Sequence, residues 1–206
     1  MIPNTNFDLE NQLLSDGFNM IGGLDEVGRG ALAGPVAAGL VVFPRDVDES
    51  LLLEVTDSKK LSQKSRERLS HVIRTQSLVC EVGYADAIEI DQLGIVPATK
   101  LAMYRAIDKS VLKLDYLIVD ALDMSETGIP FYSLYKADQI SKTVAAASII
   151  AKVHRDHYMQ SLSRKVSGYS FEKNKGYGTR EHMISISKMG PSVEHRKTFS
   201  PVSKIK

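Results

Sequence analysis

The sequence predicts one layered α/β domain: a five-stranded mixed sheet flanked by helices, with a helical, basic C-terminal part. Five short apolar segments, bounded by Gly, Pro or charged residues, read as strands. Helix signals fall between and after them, in the order three strands, helices, strand, strand, helices. At 206 residues, with 43% hydrophobic and 25% charged residues, the chain is long enough for one well-buried core.

The first three strands are expected at residues 20–25, 36–43 and 78–84, close enough together to form a meander. The fourth, 116–120, and the fifth, 131–135, are set apart from them by helices. Ser62 is placed to N-cap a helix running to about residue 74. Pro97 suits a first helical turn. Beyond it Leu101, Tyr104, Ile107, Val111 and Leu114 follow spacings of three and four, an amphipathic stripe. Residues 141–165 form a long helix in which Ala145, Ala146 and Ala147 permit close packing. Residues 179–189 form another, stopped by Gly190 and Pro191. The core is expected over about 18–165 and a basic substrate-binding segment over about 166–206, within one domain.

Composition excludes several classes. The longest apolar run, 31–43, is broken by Gly34, Pro35 and Gly39 and is too short to span a bilayer. Residues 1–11 lack a basic n-region, so no secretory signal is expected. The single cysteine, Cys80, excludes an intramolecular disulfide and fits a reducing, cytoplasmic setting. It lies in an apolar run and reads as an inert thiol. The formal net charge is only +1, but it is unevenly spread. Residues 1–139 hold 13 Lys/Arg against 21 Asp/Glu, a net of −8; residues 140–206 hold 13 against 4, a net of +9. Such asymmetry points to a polyanion, nucleic acid above all, or else to a solubilising surface.

Chemistry concentrates at the run Asp25-Glu26-Val27-Gly28-Arg29-Gly30. Carboxylates want a cation, whereas an arginine between glycines, with backbone open to approach, suits an anion such as phosphate. Asp120 ends the apolar run Leu117-Ile118-Val119, and Asp138 follows the next strand. Three strand ends therefore deliver four carboxylates, and open α/β sheets hold ligands beyond their strand ends. Singly, each has an ordinary reading: Asp120 begins a turn, Asp138 caps the next helix, Glu26 is a surface charge. Jointly those readings weaken, because like charges brought together need raised pKa values or bound cations.

An all-oxygen set with no Cys/His cluster suits Mg²⁺ or Mn²⁺, and two such ions activate water for phosphodiester hydrolysis. Neighbouring strand residues face opposite ways, so Asp25 is expected as the direct ligand and Glu26 as the less direct one. A dinucleotide fingerprint at Gly28, Gly30 and Gly34 is rejected, because the third glycine comes one residue late and a strand follows instead of a helix. His154-Arg155-Asp156 imitates a kinase catalytic loop but lacks its partner motifs.

These residues resemble the ribonuclease HII family, the type 2 ribonucleases H. The landmarks are Gly23-Leu24-Asp25-Glu26-Val27-Gly28-Arg29-Gly30, Leu32-Ala33-Gly34-Pro35-Val36 and Asp57-Ser58-Lys59-Lys60-Leu61-Ser62. They continue through Ala98-Thr99, Val119-Asp120, Lys136-Ala137-Asp138 and the stretch from Ala145 to Val153. Lys175-Gly176-Tyr177-Gly178-Thr179 and His195-Arg196-Lys197-Thr198-Phe199 close the set. The resemblance covers about residues 22–202.

It implies an RNase H-like fold and an endonuclease; nothing in the sequence demands more than a monomer, and no membrane role is expected. The implied substrates are the RNA strand of RNA–DNA hybrids and single ribonucleotides in duplex DNA, cut on the 5′ side to leave 3′-hydroxyl and 5′-phosphate ends. It implies a role in ribonucleotide excision repair. By the same resemblance Asp25, Glu26, Asp120 and Asp138 are the catalytic and metal-binding carboxylates. Gly28, Arg29 and Gly30 line the scissile junction and read the 2′-hydroxyl, Tyr177 stacks on the sugar there, and Lys59 and Lys152 meet phosphates. The sequence departs from the family at Ala137, where Gly is usual, at Asn174, where His is usual, and at His154, where Thr is common. A hybrid-binding protein without turnover and a DNA nuclease on the same fold are the alternatives. The pairing of Gly28-Arg29-Gly30 with Tyr177 argues against the second, since DNA offers no 2′-hydroxyl to read.

Overall fold

A computed structural model describes residues 5–205. Five strands form one sheet: β1 (Ile21–Val27), β2 (Val36–Val42), β3 (Val79–Ala85), β4 (Tyr116–Asp120) and β5 (Phe131–Leu134). Their spatial order is β3-β2-β1-β4-β5. β1, β2 and β3 pair antiparallel as the expected meander, while β4 and β5 join β1 in parallel. The sheet is therefore mixed, as its pattern predicts. Strand β2 is buried along its whole length, because helices cover both faces.

Seven α-helices occur among the described residues: α1 (Asp8–Ser15), α2 (Gln63–Gln76), α3 (Ala87–Leu93), α4 (Ile95–Asp108), α5 (Lys142–Lys165), α6 (Phe171–Asn174) and α7 (Arg180–Met189). Ser62 caps α2 and Thr179 caps α7, each accepting a hydrogen bond from a backbone N–H of the first turn. Ser141 caps α5 in the same way through Val144 N–H. Asp138 therefore does not cap that helix; it sits in a single 3-10 turn before it.

Helix α5 packs on β1 and β2 from one side, and α4 covers β2 and β3 from the other. Both helices lie close, because the facing strand positions have no side chain. A Cβ at Gly39 would stand 2.3 Å from the Ala147 carbonyl oxygen of α5, and one at Gly83 only 1.9 Å from that of Ala102 in α4. A Gly39→Ala variant must push helix α5 away from its own sheet. Its thermal unfolding midpoint should fall steeply, by about 2–4 °C per kcal/mol lost; an unchanged melting curve would mean that the helix shifts freely.

The same close approach corrects the expected stripe on α4. The helix buries Ala98, Thr99, Ala102, Met103 and Ala106, while Leu101, Tyr104 and Ile107 are only partly covered. It stops at Asp108, so Val111 and Leu114 lie beyond it, and Val111 is 92% exposed. Small residues face the sheet because backbone meets backbone there. The chain after α5 builds a separate cluster from Tyr169, Phe171, Ile186 and Val202 with Met159 and Leu162 of α5 and Leu32 and Ala33 of the β1–β2 connection. Cys80 is half-buried, and burial raises its thiol pKa, in keeping with an inert side chain. No helix of the described residues is long and apolar enough to cross a membrane.

Candidate active site

Strand register places the carboxylates. The β1–β4 ladder ends at the parallel pair Leu24 and Val119, so Asp25 and Asp120 follow side by side where the two strands part. β1 itself continues to Val27 through its pairing with β2. Residues then alternate between faces: Leu24 belongs to the cluster under α4, whereas Ile21 and Ile118 belong to one on the α5 side with Val144 and Ala137. Asp25 and Asp120 share the parity of Ile21 and Ile118 and face α5. Asp138, in the turn that leads into α5, arrives on that side. Glu26 faces the opposite way and is held by Arg29, with Oε1 accepting from Nη1 at 3.1 Å. The division between a directly placed Asp25 and a less direct Glu26 thus follows from strand alternation.

Each of three carboxylates has one oxygen tied to a donor. Asp25 Oδ1 accepts from the Glu26 amide at 2.8 Å, and Asp120 Oδ1 accepts from the Ala137 amide at 2.9 Å. Glu26 has Arg29 on one oxygen, while its Oε2 is buried without a partner. Burial raises the pKa of Asp25 well above the ordinary carboxylate range, and Glu26, Asp120 and Asp138 raise it further. Burial also raises Glu26, against the pull of Arg29. Asp138 is raised by burial and then by Asp57 and Asp120. These carboxylates therefore feel one another's charge.

The geometry is open rather than clamped. Among the described residues, no three His, Cys, Asp or Glu side chains already stand together in ligating positions. The set still fits a hard cation by its chemistry: all donors are oxygen, Asp25 and Asp138 are buried, and Glu26 Oε2 is orphaned. Lys59 lies within the field of the group. Burial opposes its charge, but Asp138, Asp25, Asp57 and Asp120 outweigh burial and raise its pKa. Lys152 instead pairs with Asp156 one turn further along α5, at 2.8 Å, on the side where Lys175 lies.

Gly28, Arg29 and Gly30 lead out of β1 into a loop locked to the chain after α5. Gly28 has φ +94°, and a Cβ there would strike the Arg155 guanidinium. Gly30 is different: a Cβ would meet nothing within 4 Å, so neither packing nor backbone demands a glycine. Its bare backbone is open to approach from outside. Leu32 and Ala33 amides donate to the Gly176 carbonyl at 2.7 and 3.3 Å, which brings Tyr177 beside this loop. Tyr177 is half-buried, and its ring lies over the Arg155 guanidinium, 5.5 Å from centroid to Cζ. It is not a core tyrosine.

Several residues of this assembly escape a reading of the sequence. Arg155 is fully buried and donates to the Pro35, Lys175 and Ala33 carbonyls at 2.8, 2.9 and 3.3 Å. Arg196, equally buried, donates to the Gly34 carbonyl and to the Arg29 carbonyl at 2.9 Å. Ser148 Oγ hydrogen-bonds Ser58 Oγ at 2.9 Å and eases the rise in the Asp25 pKa. Its signal was a hydroxyl in an otherwise apolar stretch of α5, which must find a partner when buried. Asp57 caps its own turn through Lys59 N–H and adds charge beside Asp138. The three departures are accommodated. The Ala137 methyl is buried while its amide holds Asp120. Asn174 Oδ1 accepts from Gly176 N–H, and its amide nitrogen donates to the Tyr169 carbonyl. His154 lies between Arg74 and Tyr84, away from the carboxylates.

Known proteins resemble this chain in sequence and in fold. The family model for ribonuclease HII matches residues 22–201. The ribonuclease HII of Ligilactobacillus salivarius (strain UCC118) is 46% identical over 197 residues, covering 96% of this chain and 76% of that protein. Among solved structures, the ribonuclease H2 of Pyrococcus horikoshii OT3 superposes with a TM-score of 0.75 at 25% identity, over 90% of this chain and 96% of that one. The RNase HII in the PCNA:RNase HII complex from Archaeoglobus fulgidus gives 0.72 at 30% identity, over 87% and 95%. With the fold, the carboxylate-bearing strand ends and the matched family model in agreement, the chain belongs to the ribonuclease HII family and is an endoribonuclease of the ribonuclease H type.

Proposed function

We propose that this chain is a divalent-metal-dependent endonuclease acting on the RNA strand of RNA–DNA hybrids and on the 5′ side of single ribonucleotides in duplex DNA. The observation that carries the reading is the join between a set of mutually repelling carboxylates and a loop pair, Gly28-Arg29-Gly30 with Tyr177, held together by Arg155. Mg²⁺ or Mn²⁺ held by Asp25, Glu26, Asp120 and Asp138 would neutralise phosphate charge and lower the pKa of an attacking water.

The chain's own residues do the rest. Lys59, raised by its acidic neighbours, balances the carboxylates and faces the phosphate that approaches them. Arg29 is anchored by Glu26, so its backbone and that of Gly30 stay in place for a 2′-hydroxyl. Tyr177 offers its ring to the sugar from the other side, and Lys152 and Lys175 lie along the path of the neighbouring phosphates. In-line attack of water then leaves a 3′-hydroxyl and a 5′-phosphate. The enzyme works as a monomer in the cytoplasm, in removal of ribonucleotides from DNA.

The test is a duplex with one internal ribonucleotide, beside a continuous hybrid and an all-DNA duplex. Cleavage in Mg²⁺ or Mn²⁺, its loss in chelator and mapped 3′-hydroxyl ends are expected. No metal-dependent cut, or equal cutting of the all-DNA duplex, would defeat the proposal. Tyr177→Ala should lower cleavage at the single ribonucleotide by about tenfold to a hundredfold, the worth of one lost stacking contact of about 1–3 kcal/mol. An unchanged rate there would remove Tyr177 from the junction.

A further inference from the structure

Beneath Tyr177 lies a buried histidine pair that the chemistry above leaves unused. His182 of α7 and His195 of the C-terminal segment are both buried, with their Nε2 atoms 3.0 Å apart. His182 Nδ1 lies 2.9 Å from the Tyr177 carbonyl, and His195 Nδ1 lies 2.9 Å from the Ser192 amide nitrogen. Tyr169 and Phe171 pack against both rings, and neither brings a charge.

These contacts admit one arrangement of protons. The Ser192 amide can only donate, so His195 Nδ1 accepts. A neutral His195 then carries its proton on Nε2 and donates to His182 Nε2. His182 therefore carries its proton on Nδ1 and donates to the Tyr177 carbonyl. A second proton on either ring would set donor against donor. Burial depresses the pKa of both rings, His195 to about 4, with His182 adding to the effect there.

We propose that His182 and His195 are positioning residues: a neutral, proton-ordered pair that holds the Tyr177 backbone at a fixed height against the Gly28-Arg29-Gly30 loop. The pair closes a ring of contacts. The His195 backbone bridges to Ala33, Ala33 N–H reaches Gly176, Gly176 precedes Tyr177, and the two imidazoles return from Tyr177 to His195. Arg155 holds the Lys175 carbonyl, and Asn174 holds the Gly176 amide through its side chain and the Tyr177 amide through its carbonyl, while the imidazole chain and the Thr179 amide share the Tyr177 carbonyl. Recognition of an isolated ribonucleotide needs both loops in register, whereas a continuous hybrid offers many equivalent sugars. The pair thereby sets the preference for single ribonucleotides, an inference that rests on the proposed junction recognition.

Two measurements test it. Nitrogen-15 NMR of the intact protein at neutral pH should find His182 protonated at Nδ1 and His195 at Nε2; the opposite tautomers, or a charged ring, would overturn the pair. In cleavage assays His182→Leu should reduce activity at a single ribonucleotide by about tenfold relative to a continuous hybrid, one directed hydrogen bond having been lost. His182→Asn, whose amide replaces the Nδ1 donor, should restore most of the ratio. Leu69→Ala, a core change between α2 and α5, should lower both activities alike. A folded His182→Leu with an unchanged ratio, or a His182→Asn variant as impaired as His182→Leu, would refute the assignment. If His182→Leu does not fold, the asparagine variant and the tautomers decide. A wild-type protein that cuts neither substrate would instead defeat the proposed function, and the tautomers would still report on the pair.

Discussion

Replacing Asp138 by asparagine will remove cleavage almost entirely, by about 10³-fold or more, while leaving the fold intact. The amide keeps the shape of the side chain and loses its charge. A group that helps hold a catalytic cation contributes several kcal/mol to transition-state stabilisation, and each 1.36 kcal/mol is about tenfold in rate. A helix cap would behave otherwise, since asparagine caps as well as aspartate, and Ser141 already holds that position. Rates on a hybrid in Mg²⁺ and Mn²⁺, with circular dichroism of the variant, check the result; a variant with more than a tenth of wild-type activity would take Asp138 out of the site.

The same substitution will raise the melting temperature in the absence of divalent ions. Asp138 is disfavoured as an anion by burial and by Asp57 and Asp120. A carboxyl whose pKa is raised in the folded state binds more protons there than in the unfolded chain, so metal-free stability falls as pH rises through that range. The variant escapes this loss. Its advantage should therefore be largest near pH 7, shrink toward pH 5, and vanish when a divalent cation balances the wild-type charges. Melting curves at the two pH values, with chelator and with Mn²⁺, give the comparison.

Arg155→Met will lower stability by about 3 kcal/mol or more, because three buried carbonyls lose their donor at once. For a chain of this length that is roughly 6–12 °C in melting temperature. Arg155→Lys will not repair it, since one ammonium cannot span the Pro35, Lys175 and Ala33 carbonyls that a planar guanidinium reaches together. Both variants will also lose preference for a single ribonucleotide, as Tyr177 loses the plane it rests on. A methionine variant that melts with the wild type would show that water fills the guanidinium's place.

Much of this was legible in the residues themselves. The five strands lie where short apolar runs put them, and Ser62, Ser141 and Thr179 start their helices through hydroxyl caps. The carboxylates at the strand ends were visible because charge after a buried run needs a reason. Three short helices, α1, α3 and α6, were not visible, since one or two turns leave too little periodicity. For α3 a signal existed in the capping box of Asp86 with Glu89. The α4 stripe misled because the core face of that helix is made largely of alanines, a choice dictated by Gly83 on strand β3.

The unread part of the site follows the same rule. Arg155 and Arg196 donate to carbonyls of distant elements, and His182 meets His195 only through the fold, so no spacing in the chain announces them. What the sequence displays are the carboxylates and the arginine between glycines, because their chemistry is conspicuous. What it conceals are the groups that hold those in place.

The Arg196 guanidinium reaches back 167 residues to the Arg29 carbonyl and 162 to that of Gly34. Every carboxylate of the site, by contrast, has been synthesised once Asp138 has emerged from the ribosome. Sheet and α5 can assemble before the clamp on the Gly28–Gly34 loop exists, because distant contacts close last. The nascent chain thus carries the acidic groups before the neighbouring loop is clamped. Order in the Gly28–Gly34 loop waits for Arg196, so the carboxylates and the loop beside them become fixed at different stages of synthesis.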